Sequence, residues 1–158
     1  MPVIRIRAAA RADDAFFRQL EFETTWASVD PEDRERLTPE EVRLRLDATL
    51  ETLLARDGNR IFVAEDESGA RMGLLWYGVN RNLVTGEDEA WVYNVSVLPE
   101  WRGRGVGRAL MEHAEALGRA GGFTTLGLMV AAHNEPAIAL YQRMTFRTST
   151  LVMRKPLG

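Results

Sequence analysis

One stretch constrains this chain more than any other: Val95-Ser96-Val97-Leu98-Pro99-Glu100-Trp101-Arg102-Gly103-Arg104-Gly105-Val106-Gly107-Arg108. Its β-branched start reads as a strand, Pro99 breaks it, and helical apolar spacing follows the glycines. A strand feeding a helix through a short loop belongs to a layered α/β fold. The first N–H groups of such a helix have no partner in the helix, and its dipole favours negative charge there. Gly103, Gly105 and Gly107 let the backbone curve and approach a ligand without a Cβ in the way. Arg102, Arg104 and Arg108 add three cations. The segment suits a pyrophosphate. A glycine-softened loop with solvated arginines is the plain alternative, disfavoured because strand, loop and helix start coincide as an anion site requires.

Two nucleotide readings fail on spacing. The ATP-binding loop needs a lysine after its glycines, and none follows here. A dinucleotide fingerprint needs its third glycine one place later than Gly107, and an acid at the tip of the next strand, which ends Ala131-Ala132-His133-Asn134. An oxidoreductase built on a bound nucleotide is disfavoured accordingly.

The rest of the chain supplies a frame for this segment. Alternation predicts strands at Val3–Ala8, Arg60–Ala64, Arg71–Val84, Ala90–Leu98, Thr124–Ala131 and Thr148–Lys155. Helices are predicted over Arg11–Trp26, from the Thr38-Pro39-Glu40-Glu41 start to Arg56, over Gly103–Ala120, and from an Asn134 cap to Arg143. Ser28–Leu37 reads as a surface loop. The order β-α-α-β-β-β-α-β-α-β predicts a mixed sheet with helices on both faces, in one domain over residues 1–158.

Composition narrows the function classes. The 158 residues contain no cysteine, which excludes disulfides, thiolate metal sites and a cysteine nucleophile; His113 and His133 are too few for a histidine-rich metal centre. A net charge of −3 makes no whole-chain case for nucleic acid. No apolar run reaches the roughly 18 residues a membrane span needs, and the alternating N-terminus is unlike a signal peptide, so a cytoplasmic protein is expected.

With these residues in view, the chain resembles the GNAT superfamily of acyl-CoA-dependent N-acetyltransferases. Arg102-Gly103-Arg104-Gly105-Val106-Gly107 matches its [RQ]-x-x-G-x-[GA] signature, and Val95-Ser96-Val97-Leu98-Pro99 looks like the approach to it. Asn134, Ala137, Leu140, Tyr141 and Phe146 are similar to the family's second motif. The resemblance implies a mostly antiparallel sheet of six to seven strands, with strands four and five splayed and a strand-four bulge near Asn94–Ser96. It implies acetyl-CoA as the donor. Val95, Ser96 and Val97 would pair with the pantetheine arm. Arg102, Gly103, Arg104, Gly105, Val106, Gly107 and Arg108 would hold the pyrophosphate, and Asn134 and Tyr141 would reach the pantetheine and the thioester sulfur. Family dimers make a homodimer an expectation.

The implied chemistry is direct attack of an amine on the thioester, with an acid for the departing thiolate and a base for the amine. Tyr141 is the candidate acid; its helix face also packs. Where relatives carry a basic glutamate, this chain has Trp91 and Met129, neither of which takes a proton. Glu89, on the Trp91 strand face, is the candidate base, although Glu87 and Asp88 beside it also fit a solvated turn. His133 is a second candidate, and His113, on an apolar helix face, reads as a packed, hydrogen-bonded residue. Thr145 stands where the family places glycine, and a left-handed backbone there would cost about 1–2 kcal/mol. Trp26, Trp76, Tyr77, Trp91 and Tyr93 divide between core and a pocket for an aromatic or cationic amine. The acceptor is a small-molecule amine or a protein amine. A GNAT-like module that binds acyl-CoA without efficient turnover is the alternative.

Overall fold

A computed structural model describes residues 2–158. The elements are β1 (Arg5–Ala8), α1 (Asp14–Ser28), α2 (Pro31–Arg34), α3 (Pro39–Leu54), β2 (Arg60–Glu65), β3 (Arg71–Arg81), β4 (Asp88–Val97), α4 (Val106–Ala120), β5 (Leu126–Leu128) and α5 (Glu135–Arg143), with single 3-10 turns at Arg11–Asp13 and Pro99–Trp101. The strands form one mixed sheet in the order β1-β2-β3-β4-β5, antiparallel except for the parallel β4–β5 pair.

Alternation along β3 divides the core between the two faces of the sheet. Leu75 and Tyr77 pack with Val92 of β4 and Leu110, Met111 and Ala114 of α4. Leu74 and Trp76 pack on the other face against Phe17 and Leu20 of α1 and Leu50 of α3. Local chemistry sets the helix starts. Thr38 Oγ1 accepts from the Glu41 N–H while the Glu41 carboxylate accepts from the Thr38 N–H, closing the capping box before Pro39. Asp13, buried before α1, accepts from the Ala10 N–H, Arg7 and Arg71, and so ties β1 and β3 to the start of the helix.

The register between β3 and β4 slips by one residue: Trp76 faces Asn94 and Tyr77 faces Val92, so Tyr93 is the extra residue of a β-bulge. Tyr93 and Asn94 consequently lie on the same face, the one covered by α1. Tyr93 stacks on Trp76 at 4.7 Å between ring centroids and covers Gly78, whose missing Cβ would sit 2.4 Å from the Tyr93 ring. The expected bulge is present, starting one residue before the Asn94–Ser96 stretch.

The sheet has five strands, not six to seven. Thr124–Ala131 was expected to be one strand, but only Leu126–Leu128 pairs, and Met129 is 79% exposed. Thr148–Lys155 forms no strand; its Leu151, Val152 and Met153 are exposed, and Arg154 anchors the tail to Asp33 of α2. A strand needs a paired neighbour, and with the tail held at α2 the outer edge of β5 has none. The expected loop Ser28–Leu37 contains the short α2, started by Asp30 accepting from the Glu32 N–H and by Pro31.

Candidate functional site

The glycine-arginine loop is shaped by two left-handed glycines. Gly103 has φ 69° and Gly105, the residue before α4, has φ 84°, conformations that L side chains rarely adopt. Helix α4 therefore begins at Val106 rather than Gly103. Among the described residues, the backbone N–H groups of 103–108 donate to no carbonyl of the chain. The α4 axis ends on this loop, so its dipole adds to the donors. Gly107 is where three elements converge: a Cβ there would lie 3.4 Å from Leu140 of α5 and 3.7 Å from Val97 of β4.

The three arginines are spread around this donor set. Arg102 Nε donates to the Val97 carbonyl at 3.1 Å, Arg104 lies 5.4 Å over the Trp101 ring, and Arg108 pairs with Glu112 at 2.9 Å. All three are exposed, so each can turn to a phosphate at little cost. Beside the loop the sheet opens. β4 and β5 pair at Ala90–Leu126, Trp91–Gly127 and Val92–Leu128, and beyond Val92 strand β4 runs on to Val97 paired only with β3. Val95, Ser96 and Val97 thus border a gap between two parallel strands, with the α4 N-terminus at its end.

Asn134 starts α5, its side chain accepting from the Ala137 N–H at 3.3 Å. Tyr141, two turns on, packs against the α4-face core with its ring 5.8 Å from Phe146. Burial pushes its phenol up to about 12, so it keeps its proton at neutral pH. Its hydroxyl makes no hydrogen bond among the described residues and is not sealed from solvent. Beyond the Met144 cap of α5, Thr145 has φ 68°, so the left-handed backbone whose cost the sequence raised is adopted by a threonine.

Glu89 is not brought to this group. It pairs with Asn80 at the hairpin end of β4, and its carboxylate accepts from Asn82 Nδ2 at 2.8 Å. His133 hydrogen-bonds the Ala27 carbonyl at 2.7 Å and borders a cleft of ≈ 350 Å³ with Val29, Pro31, Arg34 and Glu35. His113 is packed against Phe62, but its buried Nε2 has no partner among the described residues, correcting the expected hydrogen bond; burial lowers its pKa. The aromatic set serves packing: Trp76 and Tyr77 are buried, Tyr93 stacks on Trp76, and Trp91 covers Gly127, whose Cβ would lie 2.4 Å from its ring. Trp26 lies under Arg34 at 5.2 Å.

The sequence reading missed a polar group on the α1 face of the gap. Glu21, 5% exposed, accepts from Asn94 Nδ2 at 2.6 Å. Ser96 Oγ donates to Asn94 Oδ1 at 2.9 Å, and the Thr24 and Ser96 hydroxyls are 2.5 Å apart. Burial pushes the Glu21 carboxyl up to about 7, against the lowering effect of the Asn94 amide. The signal was in the spacing: Glu21 follows Phe17 by four residues and precedes Thr24 by three, which puts it on the packed stripe of α1.

Comparison with known proteins finds acetyltransferases. The chain is 33% identical over 92 residues to the Bacillus subtilis "Uncharacterized N-acetyltransferase YdgE", covering 58% of this chain and 57% of that protein. It is 42% identical over 64 residues to the [Ribosomal protein bS18]-alanine N-acetyltransferase of Escherichia coli K12, covering 40% of this chain and 43% of that protein. The chain thus spans less than two thirds of the length of these relatives. Among solved structures, "Putative acetyl transferase from Pyrococcus furiosus" superposes with a TM-score of 0.83 at 26% identity, covering 98% of this chain and 100% of that one. The model of the acetyltransferase (GNAT) family matches residues 19–146, which include the open β4 edge, the glycine-arginine loop and α5, and the chain belongs to that family.

Proposed function

We propose that this protein is an N-acetyltransferase that moves an acetyl group from acetyl-CoA to a primary amine by direct attack on the thioester. The observation that carries the reading is the run of unpaired N–H groups at residues 103–108, lying at the end of a β4 edge that β5 has left. The donor set suits a pyrophosphate, and Arg102, Arg104 and Arg108 supply the charge to match it. The free edge at Val95, Ser96 and Val97 suits an extended amide-bearing arm, which hydrogen-bonds as an added strand does. Asn134 lies at the near end of α5 to contact that arm.

Tyr141 is assigned as the acid that protonates the departing thiolate. A phenol that holds its proton at neutral pH and has a free hydroxyl is suited to that task once beside the sulfur. The acceptor is a primary amine, of a small molecule or a protein. The E. coli relative is named for an alanine of ribosomal protein bS18, which supports an amine of this kind. The cleft between Pro31, Glu35 and His133 offers it an entry beside Asn134.

Thermal unfolding with acetyl-CoA, free CoA, NAD and ATP in parallel tests the donor. A ligand at 100 times its dissociation constant stabilises by about 2.7 kcal/mol, a shift of several degrees. Stabilisation by both CoA species alone is expected. No response to millimolar CoA refutes the reading.

A further inference from the structure

We infer that Glu21 of α1 is the group that takes the proton from the acceptor amine, working from the face of the sheet opposite Tyr141; this rests on the transferase reading above. Four observations carry it. First, Glu21 is a carboxylate sealed to 5% exposure on a helix face that otherwise packs apolar side chains, with no cation to neutralise it. A buried, unpaired charge costs stability, and such groups concentrate where chemistry needs them. Secondly, only Oε1 is engaged, by Asn94 Nδ2 at 2.6 Å; Oε2 has no partner among the described residues and is not closed off from solvent. Thirdly, Asn94, which follows the bulge at Tyr93, faces α1 just past Val92, the last β4 residue that β5 pairs with. The carboxylate is therefore held at the mouth of the gap, whereas Glu89 is held by Asn82 at the far end of the strand. Fourthly, the hydroxyl chain has a direction: Ser96 Oγ–H points to Asn94, so Thr24 must donate to Ser96, and Thr24 Oγ1 keeps free lone pairs for an amine N–H.

The faces of the sheet place acid and base apart. Tyr141 packs with the α4-side core and Glu21 comes from α1 on the other side, so a thioester lying between β4 and β5 is approached from both. The acceptor ammonium gives one proton to Glu21 Oε2, and the freed lone pair forms the C–N bond at the thioester carbonyl carbon. As the C–S bond breaks, the thiolate takes the Tyr141 proton; the amide nitrogen loses its second proton, which restores the phenol. The proton on Glu21 leaves to solvent, so one proton is released per acetyl group transferred. The carboxyl titrating near neutral pH suits a base at that step. No charge on the surrounding elements competes for it: Arg18 of α1 pairs with Asp14, Arg43 of α3 lies over Phe22, and Trp76 and Tyr93 beside Asn94 are neutral.

The test is the pH profile of kcat/KM for acetyl transfer from acetyl-CoA to two probes, an alanine-initiated peptide and tyramine, in the wild type, Glu21→Gln and Asn94→Leu. The wild type is expected to show an acid limb near pH 7. Glu21→Gln should lose that limb and about 100-fold or more in kcat/KM, with acetyl-CoA affinity within twofold. Asn94→Leu should move the limb to higher pH, because the lost amide stabilised the charged carboxylate. A purely structural Glu21 moves neither limb. Transfer with an unchanged limb in Glu21→Gln, or loss of the limb in Glu89→Gln instead, overturns this assignment alone. Binding of acetyl-CoA without transfer to either probe overturns the transferase reading and this assignment together.

Discussion

Holding Glu21 out of water has a thermodynamic consequence that needs no substrate to detect. Its carboxyl is displaced from an ordinary 4.5 to about 7 by burial. At about 1.36 kcal/mol for each tenfold change in proton affinity, that displacement is worth about 3 kcal/mol. The sign follows from proton counting. Between about pH 4.5 and 7 the folded chain holds a proton on Glu21 that the unfolded chain has released, so raising the pH favours unfolding. The loss is complete above about pH 8. Glu21→Gln removes the titration while keeping the side chain's size and an oxygen for the Asn94 amide. Urea unfolding of both proteins at half-unit steps from pH 4.5 to 8.5 should therefore give curves that meet at the acid end. They should separate by about 3 kcal/mol, in the variant's favour, at the basic end. At an m-value of about 2 kcal/mol/M, that is a midpoint difference of about 1.5 M urea. A difference that stays constant across the range, or a variant less stable at pH 8, refutes the claim that the charged carboxylate is buried at a cost.

Three further outcomes are expected. Thr145→Gly relieves a left-handed backbone at the end of α5 and should raise stability by about 1 kcal/mol, read from the urea midpoint; a lower midpoint would show that the threonine contributes more than its strain. Gly127→Ala places a Cβ where the Trp91 ring lies and should cost about 1–3 kcal/mol, with a change in tryptophan fluorescence; an unshifted spectrum would mean that the ring does not lie on β5. Tyr141→Phe should lower kcat at saturating substrates by about 100-fold while CoA affinity is kept, and an unchanged kcat in a reaction limited by chemistry would remove the tyrosine from the acid role.

Features with local causes were the ones legible in the sequence. Thr38, Pro39 and Glu41 state a helix start within four residues, and Asn134 states another. Gly103 and Gly105 announce a backbone that other residues resist, and Thr145 was recognisable as a departure from that rule. Pairing was less legible. Thr124–Ala131 and Thr148–Lys155 are both rich in β-formers, but a strand exists only where a neighbour does, and the ion pair from Arg154 to Asp33 holds the tail elsewhere. Arg154 and Asp33 are 121 residues apart, and no local pattern links them. Glu21 was legible in part: its spacing from Phe17 and Thr24 puts it on the packed stripe of α1, but its partner there, Asn94, is 73 residues away. The cofactor side of the site is written in contiguous motifs, whereas the acceptor side is assembled from α1 and β4 only when the chain folds.

Tyr93 gives β4 two phases. Up to Val92, the even-numbered residues Ala90 and Val92 turn to α4; after the bulge the odd-numbered Val95 and Val97 do so. Deleting this one residue would merge the two phases into one: Val92 would still turn to α4, Asn94 and Ser96 to α1, and Val95 and Val97 to α4, in plain alternation. What would go is the ring over Trp76 and Gly78, together with the bend that a bulge puts into its strand. The extra residue thus sets the course of β4 where β5 leaves it, and not the side to which Asn94 and Ser96 turn.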